Sequence, residues 1–479
     1  MSGEKCISMV ARLVFMMFVM SMAVACHHDE PVINKETFSE EQLDAFARQY
    51  VANAGVIEYN EAMAIAWLKE NHEEVVNDAS ALEKVLDKIS SLLQKEIVSS
   101  SRSVLVYMVA ENSLSQMDDA DMREIIAGYA DAGIDPARDQ LLVYQDSRIH
   151  LPVLYRMVRK ADGTVAPEVL YEYSENHNSA SPEILKEVMN KAFSSCPAES
   201  YGFVYWSHGD GWAPYPLKSV GPLPGQGLRW IGIDESSSSV RTNMPELVSV
   251  LSSLGKKFEF VMFDACYMLS SEVAYDLRDV AEYMIGCPTE VPAPGAPYDA
   301  IVPKMFAKNA AVEISESFFD YYASLYDGQM SGTNSHWTDG VSMGTVKLSE
   351  MENLAYATRK AFETIGERKA EDIRKNVLNY DCRTSSSHIG YYDFADMMEQ
   401  LLAPAVYETW KKAFDEAVVY YDTTPTIYSA FLSRWDRLSM EKSEGLSVYI
   451  PQGAASSVLN TAFRETSWYE AAGFKILGW

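Results

Sequence analysis

Positive charge is scarce in this sequence: 40 Lys and Arg stand against 68 Asp and Glu, for a formal net charge of −28 over 479 residues. Nucleic acid, whose phosphates demand clustered Lys and Arg, is excluded as a partner. Adsorption to an anionic membrane surface is disfavoured for the same reason. Cysteine is sparse, with six in all. No CxxC pair and no regular spacing occurs, so no disulfide framework is written into the chain. The eight histidines are scattered: His27 and His28 lie near the N-terminus, and His336, His388 and the others lack ligand spacing, so no metal is expected. There is no calcium-loop pattern and no cofactor motif. A G-x-S-x-G elbow and a paired-carboxylate constellation are both missing, which argues against a lipid or carbohydrate hydrolase. Beyond the N-terminal segment, no run is long and apolar enough to span a bilayer.

What is present begins at the N-terminus. Lys5 and Arg12 precede the apolar stretch "LVFMMFVMSMAVA", which ends in the small residues Ala23 and Ala25. It reads as a secretory signal over residues 1–25, too short and wrongly flanked for a spanning helix. Ala23-Val24-Ala25-Cys26 resembles the lipobox of bacterial lipoproteins, in which the cysteine is lipidated and becomes the mature first residue; a plain signal peptide cut after Ala25 is the alternative. The resemblance implies export to the cell envelope and anchoring to the outer membrane, on its periplasmic or outer face, with the lipid as the only membrane contact.

Residues 31–98 read as a helical segment. "SEEQLDAFARQY" opens with Ser39 and Gln42 in capping-box relation, and "DASALEKVLDKISSLLQKEI" spaces Leu82, Val85, Leu86, Ile89, Leu92 and Leu93 on a helical period. "SSSRS" then reads as a linker. From Arg102 to Leu348 strands alternate with helices: "VLVYMV", "LLVYQDS", "YGFVYW", "FEFVMF" and "EYMIGC" are apolar enough for strands buried on both faces, and "VLYRMV" reads as an added edge segment. The fold class expected is α/β, a mostly parallel sheet flanked by helices, preceded by the helical segment and followed by a mixed region over 349–479. That last region contains the helices "MENLAYATRKAFETIG" and "YETWKKAFDEAVVYY" and a strand "GLSVYI".

Sites in such sheets form beyond the carboxyl ends of the strands. "YGFVYWSHGDGW" delivers His208 to a glycine-rich turn, and "FEFVMFDACYM" delivers Cys266 to the start of "YMLSSEVAYDLRDVA", which has helical periodicity. A thiol at a helix N-terminus feels the positive end of the dipole, which is expected to lower its pKa. His208 taken singly reads equally as a hydrogen-bonded core residue, and Cys266 as a small buried hydrophobe. Together they describe acyl transfer: thiolate attack on a carbonyl, imidazolium protonating the leaving amine, and exposed N–H groups such as that of Gly209 holding the oxyanion.

"HGDGW" and "DACYM" after consecutive core strands resemble the clostripain-like cysteine peptidases, a branch of the clan that includes caspases, legumains and gingipains. "VLVYMVAENSL", "YYDFADMM" and "GLSVYIP" are similar to further segments of that family, so the likeness runs from about Arg102 to the C-terminus. It implies a caspase-like fold, a peptide or protein substrate, His208 as general acid, Cys266 as nucleophile, and the Gly209 and Cys266 N–H groups as oxyanion hole. Cleavage after Arg or Lys would follow from a carboxylate at the base of the specificity pocket, a role in which Asp264 stands; a strand-end cap bonding nearby amides is the alternative for that residue. Asp299 or Glu290 would supply a second carboxylate. The loop "GCPTEVPAPGAPYD" departs from the family pattern, which leaves basic specificity open, and Cys287 within it is either a packing residue or a redox partner of Cys266. Relatives are often activated by self-cleavage between the histidine and the cysteine, here after Lys218, Arg229 or Arg241, in an interval rich in Pro, Gly and Ser. Clostripain itself is associated with calcium, and calcium dependence stays open here. A catalytically silent, peptide- or partner-binding lipoprotein is the competing function.

Overall fold

The computed structural model describes residues 38–54, 61–99, 101–131, 133–212, 231–236, 240–292, 294–328, 340–383, 388–433, 436–453 and 457–479. The signal segment, Cys26, Lys218 and Arg229 lie outside the described residues. The chain divides into two compact units, one ending at Ile97 and one running from Val98 to Trp479.

The first unit contains α1 (Glu40–Ala54), α2 (Glu61–Asn71) and α3 (Ala79–Ser99). The capping box forms as its spacing predicts: Ser39 N–H donates to Gln42 Oε1 at 2.9 Å, and Gln42 N–H donates to Ser39 Oγ at 3.2 Å. Leu43, Ala47, Tyr50, Ala64, Leu68, Val85 and Ile89 close its core.

The second unit is built on β1 (Arg102–Ala110), α4 (Met117–Tyr129), β2 (Asp139–Ser147), β3 (His150–Arg159), β4 (Val165–Glu172), α5 (Pro182–Ser195), β5 (Ser200–Trp206), β6 (Ile231–Asp234), β7 (Val240–Thr242), α6 (Met244–Ser253), β8 (Phe258–Asp264), α7 (Ser271–Leu277), β9 (Ala281–Gly286), α8 (Tyr298–Ile301), α9 (Ala310–Leu325), β10 (Ser342–Lys347), α10 (Met351–Glu363), β11 (Tyr392–Asp393), α11 (Phe394–Leu401), α12 (Pro404–Ala417) and β12 (Val418–Thr423). Nine strands form one sheet in the order β12-β10-β9-β8-β5-β1-β2-β3-β4. Its centre is parallel, β9-β8-β5-β1-β2, and antiparallel strands extend it at both edges. Strand residues alternate between two apolar layers, as a pleat requires. Leu105, Tyr107, Phe203, Tyr205, Val261 and Phe263 pack under α5, α6, α7, α10 and α12. Val104, Val106, Met108, Val204, Trp206, Phe260 and Met262 pack under α4 and α9. Coverage of both faces is why these strands read as unbroken apolar runs.

Four local expectations are revised. Helix α7 starts at Ser271, with Ser270 as its N-cap, so Cys266 precedes the helix by a turn of chain rather than sitting on its N-terminus. "VVYY" is not helical: α12 stops at Ala417, and Val418–Thr423 forms the edge strand β12 against β10. Its β-branched and aromatic residues suit a half-buried pleat better than a helix. "GLSVYI" contributes only Ser447–Val448 as a strand, paired with Tyr392–Asp393 of β11. The linker shortens, because α3 runs to Ser99 and β1 begins at Arg102.

Candidate active site

β5 and β8 are adjacent and parallel, and their last pair is Trp206 with Asp264. His208 and Cys266 each stand two residues beyond that pair, so the register itself brings them to one end of the sheet. Parallel neighbours are about 4.8 Å apart, and the two turns stay together past the strand ends. Ser207 N–H donates to Asp264 O at 3.4 Å. A Cβ at Gly209 would stand 2.7 Å from Ala265 Cβ and 3.0 Å from Cys266 O, so only glycine lets the histidine turn lie against the cysteine turn. His208 and Cys266 are both half-buried rather than sealed in the core.

The histidine turn is held from several sides. Ser113, in the turn after β1, places its Oγ 2.7 Å from His208 Nε2 and fixes that edge of the ring. Gly232 N–H of β6 donates to His208 O at 2.9 Å. Because that bond flanks the Gly209–Ile231 bridge, Gly209's own N–H is directed away from β6. Asp210 accepts from Arg383 Nη1 at 2.7 Å. Gly211 (φ +72°) lies under Tyr391, where a Cβ would be 2.5 Å from the phenol oxygen, and Trp212 packs edge-on against Tyr449 at 5.3 Å. Burial holds the His208 pKa below its ordinary value, with Glu235 opposing, so the resting ring is neutral at physiological pH.

The cysteine turn is strained and enclosed. Tyr267, immediately after the thiol, has a φ of +61°, a conformation that non-glycine residues rarely adopt. Its N–H donates to Thr289 O at 2.9 Å, and its ring stacks on Tyr391 with centroids 5.0 Å apart. Cys266 Sγ accepts the Val291 N–H at 3.3 Å, which brings the 289–292 loop across the thiol. Burial first, and the Glu290 carboxylate second, push the Cys266 pKa up to about 12. The lowered thiol pKa expected from a helix dipole is therefore corrected: the helix starts too late to help, and the nearest charges are negative.

Asp264 is buried under the 295–298 segment. Its Oδ2 accepts from Ala296 N–H at 3.0 Å and Tyr298 Oη at 3.1 Å, and burial raises its pKa to about 6 against those bonds. Asp121 lies beneath, accepting from Trp206 Nε1 at 2.6 Å; burial and the Asp264 charge raise its pKa to about 9. Glu290 sits on the thiol side, one oxygen accepting the Ala430 N–H at 3.1 Å. Asp299 is exposed on α8 beside Glu124. Arg241 is withdrawn as a nicking point, since it is 7% exposed and paired with Ile233 inside the β6–β7 hairpin.

Cys287 is buried in the layer under α4 and α9, and Cys196, Cys266, Cys287 and Cys382 are all free thiols. Among the described residues, no group of three or more His, Cys, Asp or Glu side chains is arranged to hold a metal ion, and no helix is long and apolar enough to cross a membrane.

The family model described as "Clostripain family" matches residues 106–473. This chain belongs to the clostripain family. It is a cysteine protease of that family, and the reading as a catalytically silent binding module is set aside. A secreted C11 cysteine protease from Bacteroides thetaiotaomicron, solved with an irreversible peptide inhibitor, is 37% identical, with 78% of this chain and 99% of that chain covered and a TM-score of 0.69. An inactive zymogen C11 protease from Parabacteroides distasonis is 32% identical over the same shares, 78% and 99%, with a TM-score of 0.64. A second secreted C11 protease from Bacteroides thetaiotaomicron, 21% identical with coverage of 78% and 99% and a TM-score of 0.65, shares the fold. No curated protein sequence matches.

Within the clostripain frame, several contacts at the site were not singled out from sequence. Ser113 lies inside "AENSL", Asp210 inside "HGDGW" and Arg383 in "DCRT"; only the folded chain joins them. The resting electrostatics predict slow alkylation. The rate of Cys266 modification by iodoacetamide should be low at pH 7 and keep climbing above pH 9, read by peptide mass mapping. A plateau already reached at pH 6 would contradict the raised thiol pKa.

Proposed function

We propose that this protein hydrolyses peptide bonds through a Cys266–His208 dyad and cuts after Arg or Lys. The observation that supports the dyad most is the shared register that puts both residues two positions beyond the Trp206–Asp264 pair. At rest the thiol keeps its proton and the imidazole is neutral. When a peptide occupies the cleft, His208 takes the Cys266 proton and the thiolate attacks the scissile carbonyl carbon. The N–H groups of Gly209 and Cys266 receive the oxyanion. The His208 imidazolium then gives its proton to the leaving amine, which departs as the thioester forms. Water, deprotonated by His208, attacks the thioester and frees the acid product and the thiol. Ser113 is the group suited to orient the ring through these steps.

Basic specificity is supported by the carboxyl groups of Asp264 and Glu290 beside the thiol. Both hydrogen bonds to Asp264 fall on Oδ2, so Oδ1 is the oxygen a substrate cation would meet, and Glu290 adds negative charge on the thiol side. Self-cleavage after Lys218 or Arg229 is the accompanying activation step; an intact chain with full activity, seen by mass spectrometry, would remove it. The N-terminal pattern supports export and anchoring through lipid on Cys26. Cys26→Ser should move the protein from the detergent to the aqueous phase on phase partitioning, and continued detergent partitioning would remove the anchor.

Peptides carrying Arg, Lys or a neutral residue before a reporter amide test the reaction itself. Cys266→Ala should lower kcat/KM by about 10³-fold or more. Asp264→Asn should cost the Arg and Lys peptides roughly 10- to 100-fold more than the neutral one. Hydrolysis that survives Cys266→Ala rules out the dyad, and equal losses on all three peptides rule out the specificity assignment.

A further inference from the structure

A single buried guanidinium joins the turn after His208, the turn after Cys266 and the segments around Asp381 and Phe431. The Arg383 side chain is 4% exposed. Its Nη1 donates to Asp210 Oδ1 at 2.7 Å, two residues past His208. Its Nε donates to Asp381 Oδ1 at 2.7 Å. Its carbon lies 5.0 Å from the centroid of the Tyr267 ring, one residue past Cys266, and 5.4 Å from that of Phe431. Phe431 follows Ala430, whose N–H holds Glu290, and Glu290 precedes the Val291 N–H that touches the thiol. Tyr391, 5.9 Å from the same guanidinium, stacks on Tyr267 and donates its hydroxyl hydrogen to Asp210 O.

The anchor beneath this clamp is rigid. Asp381 accepts from Arg383 N–H at 3.0 Å on Oδ1 and from Ile389 and Gly390 N–H at 2.7 and 3.1 Å on Oδ2. Burial works against the Arg383 charge, but Asp210, Tyr391 and Asp381 outweigh it and hold the guanidinium firmly protonated. Taking a cation and two carboxylates out of water is costly, and apolar packing of similar volume commonly serves stability as well or better. What an apolar residue cannot do is fix three loops at set angles. A planar fork that bonds carboxylates at its edge while its face lies on aromatic rings does that, and lysine does not reproduce it.

We propose that Arg383 is a positioning residue of the peptidase reaction, holding the His208 turn and the Cys266 turn in the mutual geometry that proton transfer and attack require. It acts through Asp210 and Tyr267 and touches neither substrate nor the reacting atoms. The inference rests on the Cys266–His208 reading, and the wild-type and Cys266→Ala pair separates the two: if Cys266→Ala keeps its activity, the dyad reading fails, whatever Arg383 does.

The test compares Arg383→Lys, Arg383→Ala and the double variant Arg383→Met/Asp210→Asn, with thermal unfolding run on each. The double variant removes the guanidinium together with the Asp210 charge and leaves Asp381 on its three backbone N–H donors, so it keeps a folded protein in hand if a single variant unfolds. The expected result is a folded double variant with kcat down roughly a hundredfold, the scale of an ångström-level misplacement, and KM within about threefold of wild type. Arg383→Lys, where folded, should show the same split. Added guanidinium ion at millimolar concentration should raise kcat of Arg383→Ala several-fold and leave Arg383→Lys unchanged. A folded double variant with kcat within about threefold of wild type overturns the proposal, as does a loss confined to KM. A loss of activity that only tracks the unfolded fraction also overturns it, because Arg383 would then be a stability element alone.

Discussion

Parallel pairing of β5 with β8 is the constraint on which the rest of the site depends. From Gly202–Phe260 to Trp206–Asp264 the pair keeps one register, and a slip of one residue there would exchange the two apolar layers. Here Phe203 and Tyr205 must face one layer while Val204 and Trp206 face the other. That demand, made deep in the core, determines where the chain emerges. His208 and Cys266 come out side by side because the observed register pairs Trp206 with Asp264, and a one-residue slip would bury the wrong faces.

Around this emergence the chain has placed carboxyl groups in low dielectric, where ionisation is expensive and each donor counts. Asp264 and Asp121 share a buried floor, each with donors on it, and Glu290 faces the thiol. The result is a thiol that is reluctant at rest: its pKa is pushed up, it is bonded to the Val291 N–H, and it is followed by Tyr267 at positive φ. The positive φ of Tyr267 is a conformation that a bulky residue holds only where its surroundings, here the Thr289 bond and the Tyr391 stack, enforce it. The mixed C-terminal region supports these turns directly. Trp212 packs on Tyr449, Ser447 N–H donates to Leu269 O at 3.0 Å, and Tyr449 N–H donates to Glu272 at 2.9 Å. The segment after Cys266 and the segment after His208 are thus both fastened to the same late stretch of chain.

Much of this was legible in the residues, and for physical reasons. Strands buried on both faces announce themselves as apolar runs, and a polar residue that breaks such a run at its carboxyl end marks a site. That His208 and Cys266 emerge at one end of the sheet was readable on that ground. The thiol's electrostatics were not, because helical periodicity in "YMLSSEVAYDLRDVA" does not say where the first turn begins; Ser270 caps the helix four residues after the thiol. Nor could "VVYY" be separated from the helix before it, since an amphipathic helix running into an edge strand leaves no punctuation. Arg383, Asp381 and Ser113 carry no local pattern at all. Their importance is a matter of which loops meet in space, and that information is spread over the whole chain. Nor does local pattern separate the settings of two acidic residues: Asp264 is buried at the end of β8, and Asp299 stands exposed on α8.

The claim at the centre of this account is that the His208 ring and the Cys266 sulfur lie within reach of one small reacting group. A bifunctional alkylating reagent of minimal span, 1,3-dibromoacetone, measures this directly when the native protein is treated, digested and mapped by mass spectrometry. The account predicts a covalent bridge joining the peptide that contains His208 to the peptide that contains Cys266, absent from Cys266→Ala and from protein treated after unfolding. Alkylation of Cys266 with its second arm hydrolysed or attached elsewhere, and no bridge to His208, would contradict it.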